Sequence, residues 1–276
     1  MKRIAMLVSV AVVAVVLAGT CLAAAETITA TSPISAAPAT ASAPAPANGL
    51  AALEQATKDK KYLFIFFFKN PQEEATQAMR LVFDATLAKV ADKAETYYVN
   101  LTNSSENGIV AKYDAGRAPL PLVLVVAPNG AIMAGLTIKF DEYTLLNAFN
   151  GPGAEKALKA LQDHKFVVLA IQNAKTTDNE PSLKAAREFK DDKQYAQTEI
   201  VQIDPTATAE AKFLGSLQID RETKEAITVL LAPPGFRLGA FKGQTSKQAL
   251  VDALKAASAP AGGCGPGGKC GPGGCK

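Results

Sequence analysis

The central part of this chain has no thiol and almost no imidazole. The 276 residues include four cysteines, one histidine and no tryptophan. Cys21 lies near the start and the other three cysteines lie beyond residue 263, so residues 22–263 contain neither a disulfide bond nor a cysteine nucleophile. His164 would need metal ligands or catalytic partners of other residue types, and we assign it no role.

An excess of charge of one sign is also missing. The sequence has 29 Lys and Arg against 26 Asp and Glu, a net charge of +3. Removal of residues 1–25 would take away Lys2, Arg3 and no acid, which leaves the basic residues one ahead of the acidic ones. Binding of nucleic acid needs a dense basic face, so no nucleic-acid partner is expected.

The N-terminus has the pattern of a secretory signal peptide. Lys2 and Arg3 precede an apolar run that ends in small residues at Ala25. Residues 1–25 are therefore predicted to be a signal peptide, and the protein is predicted to be exported to a periplasmic or extracellular location. Contact with a membrane is expected only if this segment stays uncleaved as an anchor or if Cys21 carries a lipid.

Two segments have compositions that do not support a folded core. Residues 26–50 are rich in Ala, Pro, Ser and Thr, which predicts a semi-extended linker. Residues 260–276 consist largely of glycine and contain Cys264, Cys270 and Cys275, which predicts a flexible tail. Both segments are expected to be disordered, and the folded part is expected between them.

An internal duplication organises that folded part. YLFIFFFKN at 62–70 has a counterpart in FVVLAIQN at 166–173, and VLVVAPNG at 123–130 has one in TVLLAPPG at 228–235. Two further pairs, at 97–102 with 200–205 and at 145–149 with 250–254, follow in the same order with offsets of about 103 to 105 residues. The sequence thus predicts two copies of one domain, residues 51–153 and 154–259.

Each copy has the element order β-α-β-α-β-β-α. In the first copy, Tyr62 to Phe68 is an apolar run typical of a strand covered on both faces. Asn70, Pro71 and Glu73 predict the capped start of the next helix. Helical crossovers and one short hairpin turn then predict an α/β fold with a mixed four- to five-stranded sheet and helices on both faces.

This topology resembles the thioredoxin fold. In that family a cis-proline precedes a strand that ends in a hairpin glycine, and Pro121 matches this position ahead of Gly130. Ala226 stands at the same place in the second copy. The chain is therefore similar to a tandem pair of thioredoxin-like domains.

The chain lacks a motif that active members of this family carry. Active members of the family carry Cys-x-x-Cys after the first long strand, where a helix N-terminus lowers the pKa of the first thiol. Neither 66–79 nor 172–178 contains a cysteine. Both copies are therefore expected to be redox-inactive, and no enzymatic activity of the folds is expected.

The groove of such a domain can still bind. The resemblance implies that an extended peptide would lie between Asn70 and Pro71 on one side and Leu120 and Pro121 on the other, with its backbone paired as an added strand. The expected partner is an extracytoplasmic protein or peptide. A rigid spacer without a ligand is the alternative.

The three cysteines of the tail leave several uses open. Cys264, Cys270 and Cys275 could hold a soft metal ion such as copper or zinc. They could instead exchange disulfides with another protein or link chains covalently. Metal binding would make the protein a metal-thiol carrier, and disulfide exchange would make it a thiol-disulfide carrier. A low-complexity end without a function is the third reading, and no other cofactor motif is present in the sequence.

Overall fold

A computed structural model of the protein describes residues 46–258. The predicted signal peptide, residues 26–45 of the predicted linker and the cysteine-containing segment 260–276 lie outside these residues. The helices and strands are α1 (Gly49–Lys58), β1 (Tyr62–Phe68), α2 (Glu74–Leu87), β2 (Ala94–Asn100), α3 (Asn107–Lys112), β3 (Leu122–Val126), β4 (Ile132–Thr137), α4 (Glu142–Leu146), α5 (Pro152–Gln162), β5 (Val167–Ile171), α6 (Asn179–Asp191), β6 (Glu199–Ile203), α7 (Ala211–Ser216), β7 (Ile227–Ala232), β8 (Phe236–Lys242) and α8 (Lys247–Ser258).

The strands form two sheets with the same topology. One sheet has the strand order β2-β1-β3-β4 and the other has the order β6-β5-β7-β8. The pairs β1–β2 and β5–β6 are parallel, and the remaining pairs are antiparallel. The predicted α/β fold with two tandem thioredoxin-like mixed sheets is therefore confirmed, with four strands in each sheet.

The duplication extends to the details of the backbone. Tyr62 pairs with Ala94 and Val167 pairs with Glu199, the same separation in both copies. Each β3-type strand has a register shift, between Val125 and Val126 in one copy and between Leu230 and Leu231 in the other. We therefore call α1 to α4 with their sheet the first copy, and α5 to α8 with theirs the second copy.

The structural offset corrects some of the equivalences read from the sequence. An Asx turn binds Thr102 to Asn100 in the first copy, and the same turn binds Thr206 to Asp204 in the second. The offset is thus 104 residues at this point, and Thr102 corresponds to Thr206 rather than to Pro205. The domain limits 51–153 and 154–259 stay a prediction.

The start of α2 differs from the prediction. The helix begins at Glu74, its N-cap is Glu73, and no side chain caps it. The Asn70 side chain instead accepts a hydrogen bond from the Gln72 N–H at 3.0 Å, which closes a local turn. Asn70 and Glu73 therefore do not form the predicted capping box, because this turn stands where the first helical turn was expected.

Two helices were not predicted, α1 and α5, which open the two copies. The Asn48 side chain caps α1 by accepting from the Ala51 N–H at 3.0 Å. Pro152 occupies the first turn of α5, where its missing N–H costs no hydrogen bond. None of the helices in residues 46–258 has both the length and the hydropathy needed to cross a membrane.

The cores of the two copies differ in composition. In the first copy, α2 and α4 cover a cluster that contains Phe64, Phe66 and Phe83, all fully buried. The corresponding face of the second sheet packs Val168 and Leu230 against α6 and α8, and Phe189 is the one fully buried ring in this cluster. Burial of each large apolar side chain contributes about 2 kcal/mol to the free energy of unfolding. In the first copy a larger part of this contribution comes from aromatic rings.

Candidate functional site

The register of the first sheet brings the predicted groove residues to one end of the sheet. Phe67 of β1 pairs with Leu122 of β3. The chain leaves β1 towards Asn70 and enters β3 from Leu120, so both connecting segments lie at the same end of the sheet. The Leu120–Pro121 peptide bond is cis, as the resemblance implies for this proline.

The two sides of this groove have different exposure. Asn70 and Pro71 are exposed, Leu120 is half-buried and Pro121 is buried. The Leu120 side chain packs against the core cluster that lies under α1 and α3. The groove thus combines a surface turn on one side with a firmly packed backbone segment on the other.

The backbone of Leu120 has unused hydrogen-bonding groups. The Pro121 carbonyl accepts from the Ile138 N–H at 2.8 Å, which fixes this segment to the end of β4. Within residues 46–258, neither the N–H nor the carbonyl of Leu120 bonds to another group. One donor and one acceptor on the same residue are the groups that an added strand needs for pairing.

The equivalent segment of the second copy is occupied by its own chain. The Thr177 N–H donates to the Lys224 carbonyl at 2.9 Å, and the Thr177 carbonyl accepts from the Ala226 N–H at 2.9 Å. These bonds form a parallel bridge between Thr177 and Glu225. The loop after β5 therefore lies alongside Glu225 and is bonded to the residues on either side of it.

A threonine side chain bonds the backbone of Glu225 itself. The Thr223 hydroxyl lies 2.8 Å from the Glu225 carbonyl and 3.3 Å from the Glu225 N–H. Three positions before Pro121 the first copy has Ala118, which has no such hydroxyl, whereas three positions before Ala226 stands Thr223. Glu225 thus has partners for both groups that remain unpaired on Leu120.

The loop that enters the second groove is held by a small polar network. The Thr176 hydroxyl lies 2.9 Å from both the N–H and the carbonyl of Asn173 and 2.6 Å from the Asn179 side chain. Asn179 also donates to the Asn173 carbonyl at 2.7 Å. Because Thr176 is buried, this network fixes the loop against the sheet.

A buried glutamate binds the start of the first helix in each copy. Glu106 accepts from the Gly49 N–H at 2.8 Å and from the Tyr97 hydroxyl at 2.9 Å. Glu210 accepts from the N–H groups of Gly153 and Ala154 at 2.6 and 3.1 Å. Both carboxylates face free N–H groups at a helix N-terminus, where negative charge is favourable.

The glycines at these helix starts are required by the close approach. A Cβ at Gly49 would lie 2.7 Å from a side-chain carbon of Ile109, and a Cβ at Gly153 would lie 2.7 Å from one of Ile203. This contact between a glycine at the helix start and a buried glutamate was not predicted from the sequence. The sequence feature that indicates it is a repeated spacing: Gly49 and Glu106 are 57 residues apart, and so are Gly153 and Glu210.

Tyrosine hydroxyls beside buried carboxylates are held protonated. Burial raises the pKa of Tyr97 to about 12, and the hydrogen bond to Glu106 adds to the rise. Burial also raises the pKa of Tyr62, whose hydroxyl donates to Glu155 of α5 and to the Asn150 carbonyl. Tyr62 belongs to β1 and Glu155 to α5, so this contact joins the two copies.

The charged side chains at the groove of the first copy are exposed to solvent. Its loop carries Lys69, Glu73 and Glu74, which are all exposed and make no ion pair in the described residues. Within residues 46–258, no three His, Cys, Asp or Glu side chains converge on a position for a metal ion. The arrangement can pair with a backbone, and the described residues bring no nucleophile to it.

Comparisons with known proteins give distant structural similarity. No family model and no curated protein matches the chain. The first two thioredoxin domains of Saccharomyces cerevisiae Eps1p are similar at 10% identity over 77% of this chain and 97% of that one, with a TM-score of 0.31. Fasciola hepatica thioredoxin is 15% identical over 37% of this chain and 91% of its own, with a TM-score of 0.30.

The zinc-bound form of human ERp44 is a third similar structure. It is 8% identical, over 74% of this chain and 56% of that chain, with a TM-score of 0.31. Similarity of this degree does not assign a function.

Proposed function

We propose that this protein is an exported, redox-inactive binding module that holds an extended peptide segment of a partner protein in the groove of its first copy. The observation that carries the proposal is the unpaired backbone of Leu120 beside Pro121. An extended chain that lies beside Leu120 would accept from its N–H and donate to its carbonyl. Asn70 and Pro71 would then form the opposite wall.

The contrast between the copies supports a single site. Backbone groups that are left without partners in a protein interior are costly, so they are usually paired with protein or water. In the second copy the Thr223 hydroxyl pairs with both the carbonyl and the N–H of Glu225. A ligand would have to displace this hydroxyl before it could pair with Glu225, and we therefore place binding in the first copy alone.

The experiment measures binding of a panel of extended peptides by the full chain. Each peptide is labelled with fluorescein, and affinity is read from fluorescence anisotropy. Leu120→Pro removes the N–H that a bound strand would use, and we expect a loss of at least about tenfold in affinity. Leu120→Ala keeps the N–H and should bind within about threefold of the wild type.

The second copy provides the matched control. Glu225→Pro removes the equivalent N–H there, and the proposal predicts unchanged peptide affinity. If Glu225→Pro weakens binding as much as Leu120→Pro does, the site does not lie in the first groove. If no peptide binds at millimolar concentration, the chain is a spacer and the proposed function is wrong.

The tail carries a second candidate function, for which the observation is the placement of the cysteines. Every cysteine after Cys21 lies in the tail, at Cys264, Cys270 and Cys275, outside the described residues. A chain rich in glycine can bring thiolates together around a soft ion such as copper(I) or zinc. The same thiols could form mixed disulfides with a partner.

Metal analysis and thiol counting separate these uses of the tail. A metal carrier binds copper(I) in a fixed ratio to the chain and loses that binding when the three cysteines are replaced by serine. A thiol-exchange protein instead reduces a disulfide substrate, and loses that activity on the same replacement. The absence of both results would leave the groove as the only proposed function.

A further inference from the structure

A surface groove recurs at the same place in both copies, away from the site described above. In the second copy, a cavity of about 490 Å³ lies between α5 and the outer strand β6. In the first copy, a cavity of about 500 Å³ lies along the equivalent strand β2, beside α1 and α2. Each groove therefore runs along the free edge of a sheet.

The free edge of β6 presents unpaired backbone groups. The Glu199 N–H donates to the Phe166 carbonyl and the Ile203 carbonyl accepts from the Gln172 N–H, so the odd-numbered residues of β6 turn towards β5. Ile200 and Gln202 therefore turn their backbone groups outwards. In the described part of the chain these groups have no hydrogen-bond partner.

Lysines outnumber acids in the wall of this groove in the second copy. Lys156, Lys159 and Lys165 line it, together with Asp163 and Glu199. Lys159 forms an ion pair with Asp163, whereas Lys156 and Lys165 form none with a described residue. Two ammonium groups thus stand beside a strand edge with no carboxylate to balance them within ion-pair distance.

The first copy lacks most of this charge. Ala52 and Gln55 stand where the second copy has Lys156 and Lys159, and only Lys61 matches Lys165. Asp84 and Glu95 also line the first groove, and of these two acids Glu95 has an equivalent in the second groove, Glu199. The two grooves have similar volumes and differ in the balance of lysines and acids that line them, which provides a comparison within one molecule.

We propose that the outer edge of β6 docks an extended acidic segment of another protein as an added strand. The backbone of that segment pairs with Ile200 and Gln202, and its carboxylates on one face meet Lys156 and Lys165. Edge strands commonly carry lysines because like charges keep two edges apart. A strand that carries carboxylates converts that repulsion into attraction and gives the edge a selective partner.

The test uses the full chain and an eight-residue fluorescein-labelled peptide of alternating glutamate and threonine. Peptides with glutamine or lysine in place of glutamate are the charge controls. The glutamate peptide should bind, and the double variant Lys156→Glu, Lys165→Glu should weaken its binding at least about tenfold. Lys61→Glu, the matched change in the first copy, should leave the affinity within about twofold.

Strand addition is tested by methylation of the peptide backbone. Pairing uses the N–H groups of every second residue, so N-methylation of either the glutamates or the threonines should abolish binding while methylation of the other set should spare it. Equal binding of both methylated peptides would overturn strand addition. Equal binding of the glutamate and glutamine peptides, loss of binding in Lys61→Glu, or no binding at 1 mM would overturn the proposal.

This site is separate from the groove at Leu120. Leu120→Pro is therefore expected to leave the affinity for the acidic peptide unchanged. A parallel loss in that variant would place the acidic peptide in the first groove and overturn the assignment to β6.

Discussion

The two copies share their scaffold and differ at the groove. Both have the same strand order, the same register shift and a buried glutamate at the start of the first helix. At the groove, Leu120 keeps its backbone groups unpaired, whereas Glu225 is bonded to Thr223 and lies beside Thr177. Duplication thus preserved the elements that hold the fold and altered the elements that contact a ligand.

The difference shows how few changes close such a groove. Thr223 in place of alanine supplies a hydroxyl, and Ala226 in place of proline supplies an N–H for the Thr177 carbonyl. The structural offset is 104 residues at α3 and α7 and 105 residues at β3 and β7, so the segment that leads to Glu225 is also one residue longer than the segment that leads to Leu120. Function here depends on the site and cannot be read from the fold alone.

The largest expected effect is in the aromatic core of the first copy. Phe66 is fully buried and its ring packs against four others, of Phe68, Phe83, Tyr98 and Phe140. Phe66→Ala should lower the free energy of unfolding by about 4 kcal/mol, measured by urea unfolding. Its equivalent in the second copy is already Ala170, and Ala170→Gly should cost no more than about 1 kcal/mol. Similar losses would contradict the difference between the cores.

The next effect compares the two buried glutamates. Glu210 accepts from two N–H groups, so a glutamine there must turn its NH₂ towards one of those donors, and Glu210→Gln should cost about 2 kcal/mol. Glu106 accepts from one N–H and from the Tyr97 hydroxyl, which can rotate to accept instead. Glu106→Gln should therefore cost about 1 kcal/mol in the same urea assay, and the reverse order would refute the hydrogen-bond assignment.

A reciprocal exchange tests the closure of the second groove. Thr223→Val removes the hydroxyl that bonds Glu225 and should cost about 1 kcal/mol, with faster hydrogen exchange at the Glu225 amide. Ala118→Thr places a hydroxyl near Leu120 and should slow exchange at the Leu120 amide. NMR-detected exchange measures both. If the Glu225 amide exchanges at the same rate in Thr223→Val, its protection comes from elsewhere.

The smallest effect concerns the contact between the copies. Burial raises the pKa of the Glu155 carboxyl, and the charge of Glu210 adds to the rise. The folded state then holds this proton more tightly than the unfolded state, so stability falls as the pH rises from the usual value of this pKa through the raised one.

Glu155→Gln should remove this fall in stability with rising pH, while its amide oxygen still accepts from the Tyr62 hydroxyl. Urea unfolding at a series of pH values between pH 4 and pH 7 measures the free energy of unfolding of both proteins. Glu180→Gln, in the first turn of α6, is the control for the loss of a charge at a helix start. A variant with the same pH dependence as the wild type would show that Glu155 has no part in it.

Strands and their order could be predicted because apolar runs dominate them. The run from Tyr62 to Phe68 coincides with β1, since a strand buried on both faces needs apolar side chains throughout. The strand β2 begins at Ala94, three residues before its predicted start, because Glu95 and Thr96 lie on the sheet edge and tolerate polarity. Helix α1 was missed because its alanine-rich start resembles the linker before it.

The site was only partly accessible to sequence reasoning. Pro121 was located by resemblance, and its cis bond agrees. The unpaired backbone of Leu120 was not predictable, because it depends on the absence of a hydroxyl at Ala118. The buried carboxylates were missed because a glutamate in a short turn has the same pattern as a solvated one.

Hydrogen exchange at Leu120 and Glu225 tests the central claim most directly. In the free chain, the Leu120 amide should exchange rapidly and the Glu225 amide slowly. Addition of a bound peptide should protect Leu120 and leave Glu225 unchanged. A Leu120 amide that is already protected in the free chain, or peptide protection that appears at Glu225 instead, would contradict the account.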